Sequence, residues 1–410
     1  MKFIKFKINV TSFKRNNKLK IIFKLIDLII ELIILKYVNI ITTNEKEILK
    51  KEIKSIKNYY KLCSEGKLIN NKKKIKKIKN PKVSLVIALY NKEKYLLRLL
   101  RSIQNQYFKE LEIIFVDDFS TDNGINLLKN FQKDDKRINI IRNKKNKGTL
   151  ISRIIGIIKT KGDYIMVPDA DDIFAKDIIK TCYNLAVNYN YEMIRFNVFT
   201  NGTNNGLTEI GLKLKNKPVY QPKLSDYLFY GFGNLNLNDF TLWNKFIKED
   251  AFKRAINNID PFYLNQYMII FEDGLINFAL YRTVKSFYLI KKIGYYYIFQ
   301  KENSVQHKKN ITNNLAKYIF LYIKFILDNS KNSKHDKDMA LHVFHLYNWH
   351  ASLVHLIDKD LLLYKEVINF FLNYEFISFE DRNKFKILKE IIDNKEKNTT
   401  LKDLKNESFL

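Results

Sequence analysis

A chain of 410 residues, 46% of them apolar and 14% aromatic, is too long for one simple core and too rich in apolar side chains to be disordered. Its 72 Lys and Arg against 43 Asp and Glu leave a net charge of +29, which directs attention to nucleic acid, a phospholipid surface or a phosphorylated substrate. The same Lys, Ile and Asn excess runs through the whole chain, as a biased gene composition would produce, so charge alone identifies no partner. Two isolated cysteines, Cys63 and Cys182, exclude a disulfide framework and a thiolate zinc site, and fit a reducing compartment.

Residues 1–80 form a basic preamble, with 22 Lys and Arg against 6 Asp and Glu. Its apolar stretch is broken by charge and lacks a small-residue cleavage site, so no signal peptide is expected. In residues 20–41, Lys20, Lys24, Asp27 and Glu31 share one helical face and everything between them is Ile, Leu or Phe. Each charge at a bilayer centre costs roughly 2.5–3.5 kcal/mol, which disfavours a spanning helix. Two readings stay open: a helix lying in the interface of an anionic membrane, or one packed on the protein or a second copy in a homodimer. No nucleic-acid reading motif accompanies the charge, and no nucleic-acid partner is expected. The run KKKIKKIKN (72–80), followed by Pro81, reads as a solvated linker.

After Pro81 the pattern changes. Strands are predicted at 83–89, 111–117, 137–142, 163–167 and 191–199, with helices at 92–106, 124–135, near 149–159 and from about 175 to 188. Such alternation predicts a mostly parallel α/β sheet flanked by helices, with ligands bound beyond the carboxyl ends of the strands. From 200 to about 305 the alternation decays into aromatic-rich loops and helices. From about 310 onward the spacing is helical, with no glycine after Gly294. Three segments result: a basic helical extension (1–80), an α/β domain (81–305, divided near 200) and a helical region (306–410).

Two predicted strand ends carry acids. LEIIFVDDFSTDN ends in Asp117 and Asp118, with Ser120, Thr121 and Asp122 positioned to cap the next helix. DYIMVPDADD ends in Asp169, Asp171 and Asp172. Asp169 and Asp171, two positions apart in extended chain, would face one side, where hard oxygens suit Mg²⁺ or Mn²⁺ beside a substrate's phosphates. A solvated helix cap is the alternative for such a cluster. The turn ALYNKEKY lacks both GxGxxG and GxxxxGK[ST], so no glycine nest cradles phosphate there.

VSLVIALYN, LEIIFVDDFSTDN and NKKNKGTLISRIIGIIKTKGDYIMVPDADD, followed by FEDGLINFALY and LIKKIGYYYIFQKENSVQ, resemble the ordered motifs of family 2 glycosyltransferases. The resemblance covers about residues 81–305. It implies the GT-A fold, with 81–200 as the nucleotide-sugar half and 201–305 as the acceptor half. It also implies donor contacts from Ala88, Tyr90, Asn91, Asp117, Asp118, Arg153, Asp169, Ala170 and Asp171. Asp118 would meet the base, Asp169 the ribose, and Asp171 with Asp169 a Mn²⁺ or Mg²⁺ ion. Asp273 would be the general base, with Glu272, Asp172 and Trp243 on the acceptor side. The implied activity is inverting, metal-dependent transfer from a nucleotide-diphosphate sugar, uridine-linked as a first choice, to a surface glycan or lipid-linked acceptor. Such a protein is expected in the cytoplasm, peripherally on the inner face of the membrane.

Where the family often has an Arg after the closing Tyr pair, Ile298 and Phe299 stand here, with Lys291 or Lys301 as substitutes. Transfer of a single sugar is expected, because Gln-x-x-Arg-Trp and transmembrane helices are both missing. A sugar nucleotidyltransferase would need a glycine-rich basic loop after the first strand. A non-catalytic membrane-associated scaffold would have kept Asp118, Asp169, Asp171 and Asp273 together only by chance. His342 and His345 lie one helical turn apart within the run from His335 to His355, but no acidic ligand recurs at matching spacing, and helix histidines with local partners are the expectation.

Overall fold

In a computed structural model the chain divides into two compact units, Met1–Leu62 and Cys63–Leu410. Residues 74–203, 206–210, 217–220, 241–298, 309–329 and 361–373 are described, with isolated positions at 58–59, 62, 382–383, 385–387 and 389–390. The amphipathic stretch 20–41, Cys63, the aromatics at 227–232, Lys301 and the histidines from His335 to His355 lie outside the described residues.

Apolar runs and turn residues set the local structure. β1 (Val83–Leu89) and β2 (Leu111–Asp117) are short runs buried along nearly their whole length, as expected for strands covered on both faces. Helices α1 (Glu93–Gln104) and α2 (Gly124–Asp134) carry one buried face each. β3 (Ile138–Arg142), α3 (Thr149–Ile158), β4 (Tyr164–Met166), β5 (Ile173–Phe174), α4 (Ile178–Tyr189) and β6 (Met193–Thr203) follow. Every element predicted between 83 and 199 is therefore present, within a few residues at its ends.

Beyond residue 200 there is more strand than the pattern predicts. β7 (Gly206–Ile210), β8 (Lys217–Tyr220), β9 (Lys245–Lys248) and β10 (Ser286–Tyr297) join the sheet, with α5 (Glu249–Asn257), α6 (Pro261–Leu264) and α7 (Glu272–Thr283) between them. The helical tail is represented by α8 (Lys309–Asp328) and α9 (Leu361–Leu372).

Among the described residues, ten strands form one sheet in the order β3-β2-β1-β4-β9-β6-β10-β5, with β7 on β6 and β8 on β10. β3, β2, β1 and β4 are parallel. β9 then runs antiparallel to both β4 and β6, which makes the whole sheet mixed. The chain leaves β1 towards β2 and β3 on one side and returns to β4 on the other. Strand order thus reverses at β1, where an open sheet leaves its ligand crevice.

α3 lies against β1 and β2 across Gly156, where a Cβ would come within 2.3 Å of Val86. The main apolar cluster joins α3, α5, α7 and α8, including Leu275, Ile276, Phe278, Tyr322 and Phe325. Burying such a side chain is worth roughly 1.5–3 kcal/mol, so this cluster fixes α7 and the acids at its start against the parallel half. The segment after residue 73 is no free linker. Ile75 N–H donates to the Asp134 carbonyl (2.7 Å) and the Ile75 carbonyl accepts from Lys136 (2.9 Å), pinning the backbone while its lysines stay exposed.

Candidate active site

The carboxyl ends of β1, β2 and β4 bring Tyr90, Asp118 and the Asp169–Asp172 turn to one crevice, and the first turn of α7 adds Glu272 and Asp273. The crowded acids after β4 are relieved in three different ways. Asp171 pairs with Lys92 at 2.5 Å, both about one quarter exposed. Asp169 pairs with Arg153 at 2.8 Å. Asp172 is buried, takes the Ile298 N–H at 2.8 Å and lies beside the Tyr295 hydroxyl. Burial first, then the charges of Asp171 and Asp169, push the Asp172 carboxyl well above its ordinary range.

Lys92 and Arg98 are the residues that sequence reasoning left unassigned. Arg98 binds the Asp171 carbonyl through Nε at 2.9 Å and through its terminal nitrogen. Burial opposes the Lys92 charge, but Asp171, with Asp169 and Asp172 behind it, holds its pKa above the ordinary value. Both cations lie in the KEKYLLR run directly after β1, and only the fold brings that run to residue 171, 73 to 79 positions away.

Arg153 is the centre of the site. It projects from α3, its side chain is 4% exposed, and its guanidinium binds Asp169, Glu272 (3.1 Å) and Asp273. A planar guanidinium with five donors can serve three carboxylates at once, which an ammonium could not do in fixed geometry. Burial acts against the cation, and Asp273, Asp169 and Glu272 more than offset it, raising its pKa. Glu272 is buried and pushed up to about 7, by burial first and then by the charge of Asp273, against the pull of Arg153. Asp169 is pushed up to about 6 by burial, with Asp273 and Asp171 adding to the effect. The second oxygen of Asp273 accepts the Leu242 N–H at 3.2 Å. No side-chain cap bond is made at the start of α7.

Other predicted residues have structural partners. Asp118 is buried and accepts from Asn143 Nδ2, Lys147 N–H and Gly148 N–H, each at 2.8 Å, so it holds the 143–148 loop and keeps little further accepting capacity. Asp117 accepts the Ser120 N–H (3.1 Å) and lies 3.1 Å from Arg142. Asn91, at φ 51°, accepts the Thr121 N–H (2.8 Å) and ties the β1 loop to the β2 loop. Asp122 serves the starts of two helices, α1 before it and α2 after it, taking the N–H of Glu93 (2.8 Å) and of Gly124 (3.1 Å). Tyr90 is 45% exposed, Ala88 is partly buried and Ala170 buried. Trp243 is buried and stacks on Tyr295 and Tyr297, and the Tyr295 hydroxyl accepts the Asp169 N–H at 2.9 Å. Trp243 therefore supports the Asp169 turn from behind.

Residues 84–255 match the family described as Glycosyl transferase family 2. An uncharacterized glycosyltransferase of Haemophilus influenzae is 36% identical over 104 residues, 25% of this chain and 42% of that protein. The chain thus spans less than half the length of that relative. The GalNAc(5)-diNAcBac-PP-undecaprenol beta-1,3-glucosyltransferase of Campylobacter jejuni is 29% identical over 287 residues, covering 70% of this chain and 86% of that one. S. aureus TarS 1-349, solved in complex with UDP-GlcNAc, superposes with a TM-score of 0.52 at 19% identity, over 67% of this chain and 80% of that chain. Taken with the strand order, these matches assign residues 84–255 to Glycosyl transferase family 2, and the superposition shows a GT-A type of fold.

Proposed function

We propose that the protein transfers a single sugar, with inversion, from a nucleoside-diphosphate sugar to a hydroxyl of a glycan or lipid-linked acceptor. The observation that carries this reading is the Arg153 clamp, which holds Asp273 beside the Asp169 turn at the mouth of the crevice. Asp273, 20% exposed on its side chain, takes the acceptor's hydroxyl proton. The acceptor oxygen bonds to the anomeric carbon, and the carbon–oxygen bond to the diphosphate breaks with its electron pair on the leaving phosphate oxygen. One displacement of this kind inverts the centre. Arg153 keeps Asp273 aimed at the crevice. The Campylobacter relative is named for a lipid-linked acceptor, and uridine diphosphate sugars are the first donors to try.

The donor set fits Mg²⁺ or Mn²⁺. Asp169 and Asp171 offer hard oxygens with side chains 30% and 23% exposed, and each already sits against a cation. Among the described residues no group of three or more acidic, His or Cys side chains forms a ready metal cage, so one or two carboxylates would hold the ion beside the donor's phosphates. A bound ion would supply charge for the departing diphosphate. Residues 1–80 are proposed to hold the protein at an anionic membrane; among the described residues no helix is long and apolar enough to cross one. The test is a panel of nucleotide sugars scored for hydrolysis and for protection against thermal unfolding, with and without Mn²⁺. No protection by any of them would overturn the reading.

A further inference from the structure

Among the described residues, three of the eight large apolar side chains left exposed, Tyr90, Phe119 and Tyr267, belong to segments that meet at the carboxyl ends of β1 and β2. Tyr90 and Phe119 come from the parallel half. Tyr267 comes from the other half, in the stretch between α6 and α7, and nothing in the sequence pattern marks it. Its position is nevertheless fixed. Its neighbour Met268 is fully buried in the main apolar cluster. Its ring lies on Gly148, where a Cβ would meet the ring carbons at 3.2 and 3.4 Å and the Met268 carbonyl at 3.1 Å. Gly148 has φ 87°, a conformation that favours glycine, and its N–H is one of the three that Asp118 holds. The Tyr267 phenol is pushed up by burial and then by the charges of Asp118 and Tyr90, which places its ring beside both. Yet Tyr267 and Tyr90 each remain 45% exposed.

Two tethered aromatic faces beside a buried carboxylate, at the point where strand order reverses, suit a flat heteroaromatic ring. We infer that Tyr267 is a donor-binding residue, which closes with Tyr90 over the nucleobase of the nucleoside diphosphate. This rests on the transferase reading above. It adds that the base site is shared between the two halves of the domain, so that donor binding draws the segment ahead of α7, and with it Glu272 and Asp273, into register. Phe119 does not complete the pair, because the Arg142 guanidinium already lies 5.8 Å from its ring centroid.

The experiment is calorimetric titration of the full chain with uridine, guanosine and thymidine diphosphates, and with inorganic diphosphate, all in Mn²⁺. Stacking on one aromatic side chain predicts that Tyr267→Ala weakens the preferred nucleoside diphosphate by about 5- to 150-fold. Inorganic diphosphate, which has no base, should bind the variant as it binds the wild type, and Tyr267→Phe should keep the affinity of the wild type. Equal binding of the nucleoside diphosphate by wild type and Tyr267→Ala would overturn the assignment. So would an equal loss for inorganic diphosphate, which would mean that Tyr267 only holds the Gly148 loop. A wild-type chain that binds no nucleoside diphosphate would remove the transferase reading itself.

Discussion

Replacing Arg153 by Met keeps much of the side chain's length and removes the cation that three carboxylates share. Breaking a buried ion pair by deleting one partner typically costs about 3–5 kcal/mol, because the remaining charge is stranded. Here the stranded groups can take up protons, so the cost must depend on pH. In the wild type, Glu272 is raised to about 7 and Asp169 to about 6, so between their ordinary values and these the folded chain binds more protons than the unfolded chain. Their contribution therefore weakens as pH rises through that window. Without Arg153 both carboxyls rise further and the weakening extends to higher pH. The expected penalty is roughly 1–2 kcal/mol at pH 5 and about 3–5 kcal/mol at pH 8, read from urea denaturation of both proteins at each pH. Arg153→Lys, which keeps the charge but not the three-way geometry, should fall between them. A penalty below about 1 kcal/mol that does not change with pH would refute the claim that Arg153 neutralises this cluster.

Asp273→Asn should lower turnover by about 10²–10⁴-fold while leaving nucleotide affinity nearly unchanged, as steady-state kinetics beside calorimetry will show; near wild-type turnover would send the search for the base elsewhere. Asp171→Ala should abolish Mn²⁺-dependent binding of nucleoside diphosphate without unfolding the chain, whereas Lys92→Met, which frees the Asp171 carboxylate, should tighten Mn²⁺ binding in the absence of nucleotide. Unchanged Mn²⁺ affinity in both would remove Asp171 from the metal site. Deleting residues 1–73, which spares the pinned Ile75 segment, should abolish sedimentation with anionic vesicles at low salt.

What the sequence disclosed follows from how local each signal is. LEIIFVD reads as a strand because all seven residues are buried in a sheet covered on both faces, and PDADD reads as a site because charge follows an apolar run without a break. SFYLIKKIGYYY did not read as a strand. Its Lys pair interrupts the apolar run, and the register shifts between Ile290, Ile293 and Tyr295 break the alternation that a flat strand would display. The partners of the acids were hidden for a different reason. Arg153 reaches Glu272 and Asp273 across 119 and 120 positions, and Lys92 reaches Asp171 across 79. No periodicity encodes such pairs; they exist only once α3 and α7 pack on the same sheet.

The charge of the site then constrains how it can work. Asp169, Asp171, Asp172, Glu272 and Asp273 meet three described cations at the crevice: Arg153 and Lys92, paired with carboxylates, and Arg98, bound to the Asp171 carbonyl. Burial and the neighbouring acids act against that excess charge: Asp172 is held well above its ordinary range, and Glu272 is raised to about 7. An arriving diphosphate adds negative charge to a crevice whose cations already have partners, carboxylates for Arg153 and Lys92 and the Asp171 carbonyl for Arg98. Binding must therefore bring in a cation, take up protons, or break the Lys92–Asp171 pair so that Lys92 turns to the phosphate. The three routes differ in solution. Cation uptake makes affinity rise with Mn²⁺ concentration, and proton uptake makes it fall as pH increases through 7. Release of Lys92 alone makes it insensitive to both and dependent on Lys92 itself. The exposure of Asp171 to the same crevice favours the first route, since an ion there compensates the carboxylate and the phosphates together and leaves Arg153 free to keep its hold on Asp273.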